Sequence, residues 1–209
     1  MSNRYFIPIS LGNHFYSRNR IAQLGDLFSL TEGNHIFVLC DCNRFFAYRA
    51  SGVDKMISRN KVVREINDYE RMLEKISRDK KTDLNITTMS QIAQDPTFIR
   101  IGRDLNKVIS HNAYLSGAFH AFTNRYLSRF YEKDLEIANA EKWQSRYVFW
   151  ETVLSIYMTE VRDFSNELYK TGEGMFINFV YAECQEEIRR LLKKDSLRRK
   201  FFTLEDVVE

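Results

Sequence analysis

The chain is poor in cysteine, and its cysteines do not pair in a way that indicates a disulfide framework. Only Cys40, Cys42 and Cys184 occur in 209 residues, and an odd number argues against a secreted, disulfide-stapled fold. Cys40 and Cys42 are separated by one residue, a spacing shorter than that of the usual pair of zinc ligands, and the sequence has no second pair of cysteines. We therefore predict that these cysteines are packing residues, with Cys40 and Cys42 on opposite faces of a strand, and that the protein holds no metal.

Long apolar runs, prolines and glycines are also scarce. No stretch approaches the roughly 20 apolar residues of a membrane span, and the first residues lack the apolar core of a signal peptide. Two prolines and eight glycines leave no linker-like stretch, and no internal repeat is present. These absences predict a single domain over residues 1–209 that lies in the cytoplasm and makes no membrane contact. We also expect the protein to be a monomer.

The motifs that usually mark nucleotide and zinc chemistry are missing. The chain has no GxxxxGK[ST], GxGxxG or HExxH sequence, and its four histidines show no ligand spacing. Residues 55–59 (KMISR) resemble the KMSKS loop of class I aminoacyl-tRNA synthetases, but they come early and no HIGH motif accompanies them. The net charge is only +3, so a nucleic-acid surface would have to come from local clustering. We expect no cofactor.

The first half of the chain alternates strand and helix signals. Short apolar runs predict strands at Tyr5–Ile9, His35–Asp41 and Asn85–Thr88, separated by helices at Asn19–Phe28 and about Asp54–Asp79. Continuous apolar runs are typical of strands that are buried on both faces of a parallel sheet. The pattern therefore predicts an α/β fold with a mostly parallel, doubly wound sheet flanked by helices.

The second half is mostly helical in its pattern. Helices are expected at about Asp95–Ile109, Asn112–Tyr131 and Glu141–Lys170. A strand at Met175–Tyr181 and a charged helix at Gln185–Lys194 would complete the fold.

Ser10 lies where the first predicted strand stops, in the sequence Ile9-Ser10-Leu11-Gly12-Asn13. Open α/β sheets place their ligands at the carboxyl ends of strands. A turn there can present a serine hydroxyl and free N–H groups to one crevice, which is the geometry of an activated serine. A serine-glycine turn without chemistry fits the same four residues.

The predicted helix Asp54–Asp79 is amphipathic. A single apolar stripe follows the spacing 4, 3, 4, 3 and consists of Val62, Ile66, Tyr69, Leu73 and Ile76. The opposite face carries four cations, Arg64, Arg71, Lys75 and Arg78, which we call the basic ridge. Such a ridge fits a phosphate backbone, although acidic residues between the cations also suit an ordinary solvated face.

Tyr147 and Glu151 are one turn apart on the last long helix, with Leu154 on the same face. A tyrosine hydroxyl and a carboxylate beside an apolar residue could recognise and deprotonate an ammonium group. The segment around Glu151 is apolar, and a carboxylate there needs a partner. Tyr181 ends the late strand at the sheet edge where Ser10 is expected.

Together these features resemble the cyclodipeptide synthases over nearly the whole chain. The run Ile9–Asn13 followed by Phe15-Tyr16-Ser17 is similar to the family segment I-S-x-G-N-S-Y-F-S, and Tyr147-Val-Phe-Trp-Glu151 is similar to its Y-x-x-x-E pair. The resemblance implies a Rossmann-like fold close to the catalytic domain of class Ic aminoacyl-tRNA synthetases. It also implies that two aminoacyl-tRNAs are converted into a cyclic dipeptide through aminoacyl- and dipeptidyl-enzymes, in a ping-pong reaction that needs no ATP.

The resemblance also implies roles for particular residues. Ser10 would be the nucleophile, and Gly12, Asn13, Tyr147, Glu151 and Tyr181 would complete the catalytic set. The first amino-acid pocket would be lined by Phe6, Pro8, Val38, Leu154 and Phe179. The basic ridge would bind tRNA. Ala182 and Pro8 depart from the residues that are common at these positions in the family.

Two other classes fit parts of the sequence. A non-catalytic RNA-binding domain could keep the same fold and the basic ridge without using Tyr147 or Glu151. An α/β serine hydrolase would require a histidine close to Ser10.

Overall fold

The computed structural model describes residues 4–13, 16, 21, 34–81, 84–127, 137–160, 166–168 and 200–202. Its central sheet has three parallel strands, β1 (Arg4–Ile9), β2 (Asn34–Leu39) and β3 (Leu84–Thr88), in the order β1-β2-β3. The predicted parallel α/β sheet is therefore confirmed. A second, two-stranded parallel sheet joins β4 (Asn166–Leu168) to β5 (Lys200–Phe202).

Six helices are described. They are α1 (Asp41–Ala50), α2 (Lys55–Lys80), α3 (Met89–Ile92), α4 (Pro96–His111), α5 (Ala113–Leu127) and α6 (Ile137–Glu160). The short α3 begins with a reciprocal capping box, in which the Thr88 hydroxyl accepts the Gln91 N–H and the Gln91 side chain accepts the Thr88 N–H. This box turns the chain directly from β3 into the helical layer.

Helix α2 matches its prediction closely. The Asp54 carboxylate accepts hydrogen bonds from the N–H groups of Met56 and Ile57 and so begins the helix. The helix ends at Lys80, and the residue that caps it, Lys81, has a positive φ of 52°. Val62, Leu73 and Ile76 of the predicted stripe are buried.

The two faces of the sheet are covered by different helices. Phe37 and Leu39 of β2 pack with Ile7, Ile9 and the buried stripe of α2. The alternate residue Val38 packs on the other face with residues of α4, α5 and α6, including Ile101, Leu115, Val148 and Leu154. Because successive strand residues point to opposite faces, β2 is buried on both sides, as its continuous apolar run predicts.

The predicted end of the second strand is wrong. The strand ends at Leu39, Cys40 is the residue before α1, and Asp41 begins a helix that the sequence pattern did not reveal. The Asp41 carboxylate lies in the first turn, where the helix dipole favours an anion, and it accepts the N–H of Ser90 at 3.0 Å. Cys42 therefore lies on a helix rather than on a strand, while Cys40 is buried in the core as expected.

The predicted length of the last long helix is also wrong. Helix α6 ends at Glu160, and residues 166–168, which were assigned to this helix, form a strand that pairs with residues 200–202. That pairing joins segments far apart in the chain, so the local pattern does not contain it. Of the predicted helix Asn19–Phe28 the structure describes only Ile21, and the predicted elements Met175–Tyr181 and Gln185–Lys194 lie outside the described residues.

Candidate active site

Ser10 follows β1 directly and begins a tight turn. The Asn13 N–H donates to the Ser10 carbonyl oxygen at 3.2 Å, and Gly12 has a φ of +72°. A positive φ at the third residue is the requirement of a type II turn, which glycine meets without steric cost. Ser10 is half-buried, whereas Gly12 and Asn13 are exposed. The hydroxyl-bearing residue is thus held at the carboxyl edge of the sheet, at the margin of the solvent.

The end of β2 lies beside this turn. The Cys40 N–H donates to the carbonyl oxygen of Ile9 at 2.9 Å, so the two strand ends are joined immediately before Ser10. The Cys40 thiol is buried, and burial followed by the charge of Glu151 raises its pKa far above the ordinary value. Cys40 is therefore a protonated packing residue and not a nucleophile.

Glu151 is brought to the same edge by helix α6. Burial is the largest cause of the raised pKa values of Cys40 and Tyr16, and the charge of Glu151 adds to both, so Glu151 lies within electrostatic range of these residues. Burial raises the pKa of Glu151 itself from 4.5 to about 7. A carboxyl group with this pKa can exchange a proton near neutral pH, as a general acid or base must.

The other predicted residues of the catalytic set are placed in part. Tyr147 is half-buried one turn before Glu151 and packs on the apolar cluster that contains Val38 and Leu154. Tyr181 lies outside the described residues. The structure therefore brings Ser10 and Glu151 to one edge, with Tyr147 on the same helix as Glu151, and gives no position for Tyr181.

The structure describes the side chains of some of the predicted pocket residues but not of all of them. Val38 and Leu154 are buried in one cluster, and Pro8, which is also buried, pairs in register with Val38. Phe6 belongs to β1, but its side chain lies outside the described part of the chain, as does all of Phe179.

Sequence reasoning assigned Tyr69 only to the apolar stripe, but its hydroxyl contacts the backbone just after the Ser10 turn. The hydroxyl donates to the carbonyl oxygen of Tyr16 at 3.1 Å. Burial and then the charge of Glu65 raise the pKa of Tyr69, while the nearby Gly12 N–H and the charge of Arg44 lower it. No pattern in the sequence pairs position 69 with positions 12 and 16.

A half-buried ion pair lies behind the turn and was also missed. Arg44 of α1 donates from Nε and Nη2 to the two carboxylate oxygens of Glu65 on α2, both at 2.8 Å. The Tyr48 hydroxyl donates to the same carboxylate at 2.6 Å. Although burial opposes it, hydrogen bonds from Arg44 and Tyr48 lower the pKa of Glu65. The carboxylate is therefore ionised at neutral pH.

All four residues of the basic ridge are exposed on α2, as predicted. Arg71 forms an ion pair with Asp68 at 2.8 Å, in which both side chains are about 70% exposed, so the pair is weak. Within the described part of the chain Arg64, Lys75 and Arg78 form no ion pair. The ridge thus keeps most of its positive charge free for an anionic partner.

Neither a metal-binding cluster nor a membrane-spanning helix occurs among the described residues. In those ranges no group of three or more histidine, cysteine or acidic side chains is arranged to hold a metal ion. None of the helices in the same ranges combines the length and the apolar character needed to cross a bilayer.

The chain matches the model of a known protein family. A family model described as cyclodipeptide synthase matches residues 2–165. The chain therefore belongs to the cyclodipeptide synthase family, a class of enzymes that use aminoacyl-tRNA. A comparison with curated protein sequences finds no match.

Solved structures of the family share the fold at low sequence identity. A cyclodipeptide synthase from Fluoribacter dumoffii superposes with a TM-score of 0.76 at 15% identity, covering 96% of this chain and 88% of its own. A Mycobacterium tuberculosis protein, described as showing that these enzymes are related to type I tRNA synthetases, gives 0.64 at 19% identity, with 83% and 80% covered. The enzyme from Candidatus Glomeribacter gigasporarum, bound to Phe-tRNAPhe, gives 0.59 at 11%, with 96% and 86% covered. The expected synthetase-like fold is confirmed.

Proposed function

We propose that this cyclodipeptide synthase uses Ser10 as its nucleophile and two aminoacyl-tRNAs as its substrates, within one domain that acts in the cytoplasm. The proposal is supported by two observations: the Ser10 turn lies at the carboxyl edge of the sheet beside Cys40, and Cys40 is within electrostatic range of Glu151, whose pKa is about 7. An aminoacyl ester is already activated, so the reaction needs no ATP site.

In the first step the Ser10 oxygen attacks the ester carbonyl of an aminoacyl-tRNA. The bond from the carbonyl carbon to Ser10 forms, the bond to the tRNA ribose oxygen breaks, and the serine proton passes to that leaving oxygen. Covalent capture keeps the first amino acid on the protein while its tRNA departs. We assign the backbone N–H groups around Gly12 to stabilising the developing oxyanion, with Asn13 in the catalytic set beside them.

In the second step the free amine of the captured amino acid attacks the ester of a second aminoacyl-tRNA. An amide bond forms and the second tRNA leaves, so the dipeptide stays on Ser10. The terminal amine then attacks the Ser10 ester, closes the ring and returns the proton to the serine oxygen. We assign Tyr147 and Glu151 to holding the first ammonium group and accepting its proton, and Tyr181 to proton relay during cyclisation.

The pocket for the first amino acid is proposed to be apolar. Val38 and Leu154, both buried in one cluster, would form its floor, with Pro8, Phe6 and Phe179 around it. An apolar pocket with one carboxylate at its mouth suits an amino acid whose ammonium group must be fixed. A bound ammonium would lower the pKa of Glu151 again, because the opposite charge favours the ionised form.

The nucleophile is tested by trapping the acyl-enzyme. Radiolabelled aminoacyl-tRNA should leave a covalent label on the native protein and on Ser110→Ala, a control at an exposed serine of α4. Ser10→Ala should carry no label. A label that persists in Ser10→Ala would refute the assignment. Expression in a bacterial host, followed by mass spectrometry of the medium for cyclic dipeptides, would identify the product.

The basic ridge is tested by salt dependence. Each phosphate contact that is lost lowers the slope of log affinity against log salt by roughly 0.7–0.9. The double variant Arg71→Glu/Lys75→Glu should therefore bind tRNA more weakly and with a flatter slope than the native protein. Lys107→Glu, at an exposed lysine of α4, is the control and should change the slope little. Equal slopes for the native and double-variant proteins would reject the ridge as a tRNA surface.

A further inference from the structure

The Ser10 turn rests directly on an arginine side chain. A Cβ placed on Gly12 would overlap the guanidinium of Arg44, at both its central carbon and Nη2. The guanidinium therefore occupies the space beside the Gly12 backbone, two residues after Ser10. Position 12 needs glycine for two reasons, the positive φ of +72° and the absence of room.

The arginine that fills this space is immobilised. Its planar guanidinium makes two parallel hydrogen bonds of 2.8 Å to Glu65, and Nη2 also donates to the Tyr48 hydroxyl at 2.9 Å. Only about a quarter of each charged side chain is exposed. Bidentate pairing fixes orientation as well as distance, so Arg44 cannot give way to a larger residue at position 12 without losing these bonds.

Tyr69 of helix α2 contacts the backbone just after the turn. Its hydroxyl donates to the carbonyl oxygen of Tyr16 at 3.1 Å. Arg44 comes from α1 and both Glu65 and Tyr69 come from α2, so the ion pair and the tyrosine tie two helices to the turn and the backbone just after it. A shift of either helix would be transmitted to Ser10.

We propose that Arg44, locked by Glu65 and Tyr48, is a positioning residue that sets the place of the Ser10 hydroxyl in the acylation step. The inference rests on the proposed role of Ser10 as nucleophile. Arg44 acts through the Gly12 backbone and carries no part of the reaction itself. Misplacing a reacting group by about 1 Å can reduce a rate on the order of 100-fold.

The first experiment separates positioning from substrate binding. Arg44→Ala should lower the single-turnover rate of acylation at saturating aminoacyl-tRNA on the order of 100-fold. The Kd for deacylated tRNA should change less than threefold, which corresponds to less than about 0.6 kcal/mol of binding free energy. Arg44→Lys keeps the charge without the planar fork, and Glu65→Gln keeps the shape without the charge. Both should give intermediate rates. Arg100→Ala breaks a comparably exposed ion pair on α4 and should leave the rate unchanged.

The second experiment tests the contact itself. Gly12→Ala should slow acylation strongly in the native background, because its methyl group must displace a locked guanidinium. In the Arg44→Ala background the methyl group has room, and only the cost of the positive φ remains. The fold-loss caused by Gly12→Ala should therefore be clearly smaller in that background, which is a non-additive pair.

The outcomes are distinct. Absence of a Ser10 adduct in the native protein would overturn the proposed function. A normal native adduct, with an unchanged acylation rate in Arg44→Ala, would overturn the positioning role alone. Equal fold-losses for Gly12→Ala in both backgrounds would overturn the contact. If Arg44→Ala does not fold in thermal melts, Arg44→Lys and Glu65→Gln carry the same comparison, and native rates in both would also refute the role.

Discussion

The raised pKa of Glu151 makes a prediction about stability that does not depend on substrate. Glu151→Gln removes the titrating group and keeps the size of the side chain. In the native protein the folded-state pKa is about 7, against an ordinary value of 4.5, because burial disfavours the charged form. The folded chain therefore holds this proton over a pH range in which the unfolded chain has released it.

The sign and size of the effect follow from linkage. Between pH 4.5 and about 7 the folded state binds more protons than the unfolded state, so the free energy of unfolding falls as pH rises. At about 1.4 kcal/mol per pKa unit, the total loss is about 3 kcal/mol, complete above pH 7. The glutamine variant lacks this loss. Its stability relative to the native protein should increase by about that amount from pH 4.5 to 8.

The assay is chemical denaturation of both proteins at half-unit steps from pH 4.5 to 8, without tRNA. Taking the difference between the two proteins cancels all other titrating groups that they share. Glu74→Gln, at an exposed glutamate of α2, is the matched control and should show a nearly constant difference from native. A flat difference for Glu151→Gln, or one that favours the native protein as pH rises, would refute the raised pKa of this carboxyl.

Three smaller predictions concern other parts of the fold. Leu154→Ala, at a side chain only 3% exposed, should lower the free energy of unfolding by about 2–5 kcal/mol in a denaturant titration. Thr88→Ala removes one half of the capping box with Gln91 and should cost about 1 kcal/mol in the same measurement. Burial raises the pKa of Cys40, and it raises the pKa of Cys42 to about 12. Iodoacetamide at pH 8 should therefore label both cysteines far more slowly in the folded than in the unfolded protein, measured by peptide mass mapping. Rapid labelling of the folded protein would contradict their placement.

Most of the secondary structure could be predicted because it depends on local patterns. The strands β1, β2 and β3 are short continuous apolar runs, and α2 has an apolar residue every three or four positions. Such patterns can be read within a few residues, and they show which face of an element is buried. Helix α1 was missed because Asp41–Ala50 shows no clear apolar stripe. The strand at residues 166–168 was missed because its partner lies beyond residue 199.

Some features of the candidate site are local in the sequence, and others depend on tertiary packing. The turn at Ser10 and the one-turn spacing of Tyr147 and Glu151 are local features, so the amino-acid sequence alone is enough to predict both. The position of the Glu151 carboxyl group relative to Cys40, at the end of β2, depends on how α6 packs against the sheet. The functional roles of Tyr181 and the other assigned residues stay predictions until the acyl-enzyme experiments are done.

By itself, the sequence determined the alternation of strands and helices, the amphipathic α2 with its exposed basic ridge, and the resemblance that led to the family. Only the tertiary structure decided the surroundings of Ser10. Arg44 meets Glu65 across 21 positions of the chain, and Tyr69 meets Tyr16 across 53. Local periodicity reports which face of an element is buried, whereas the partner of a polar group, and the pKa that results, depend on which distant elements fold against it.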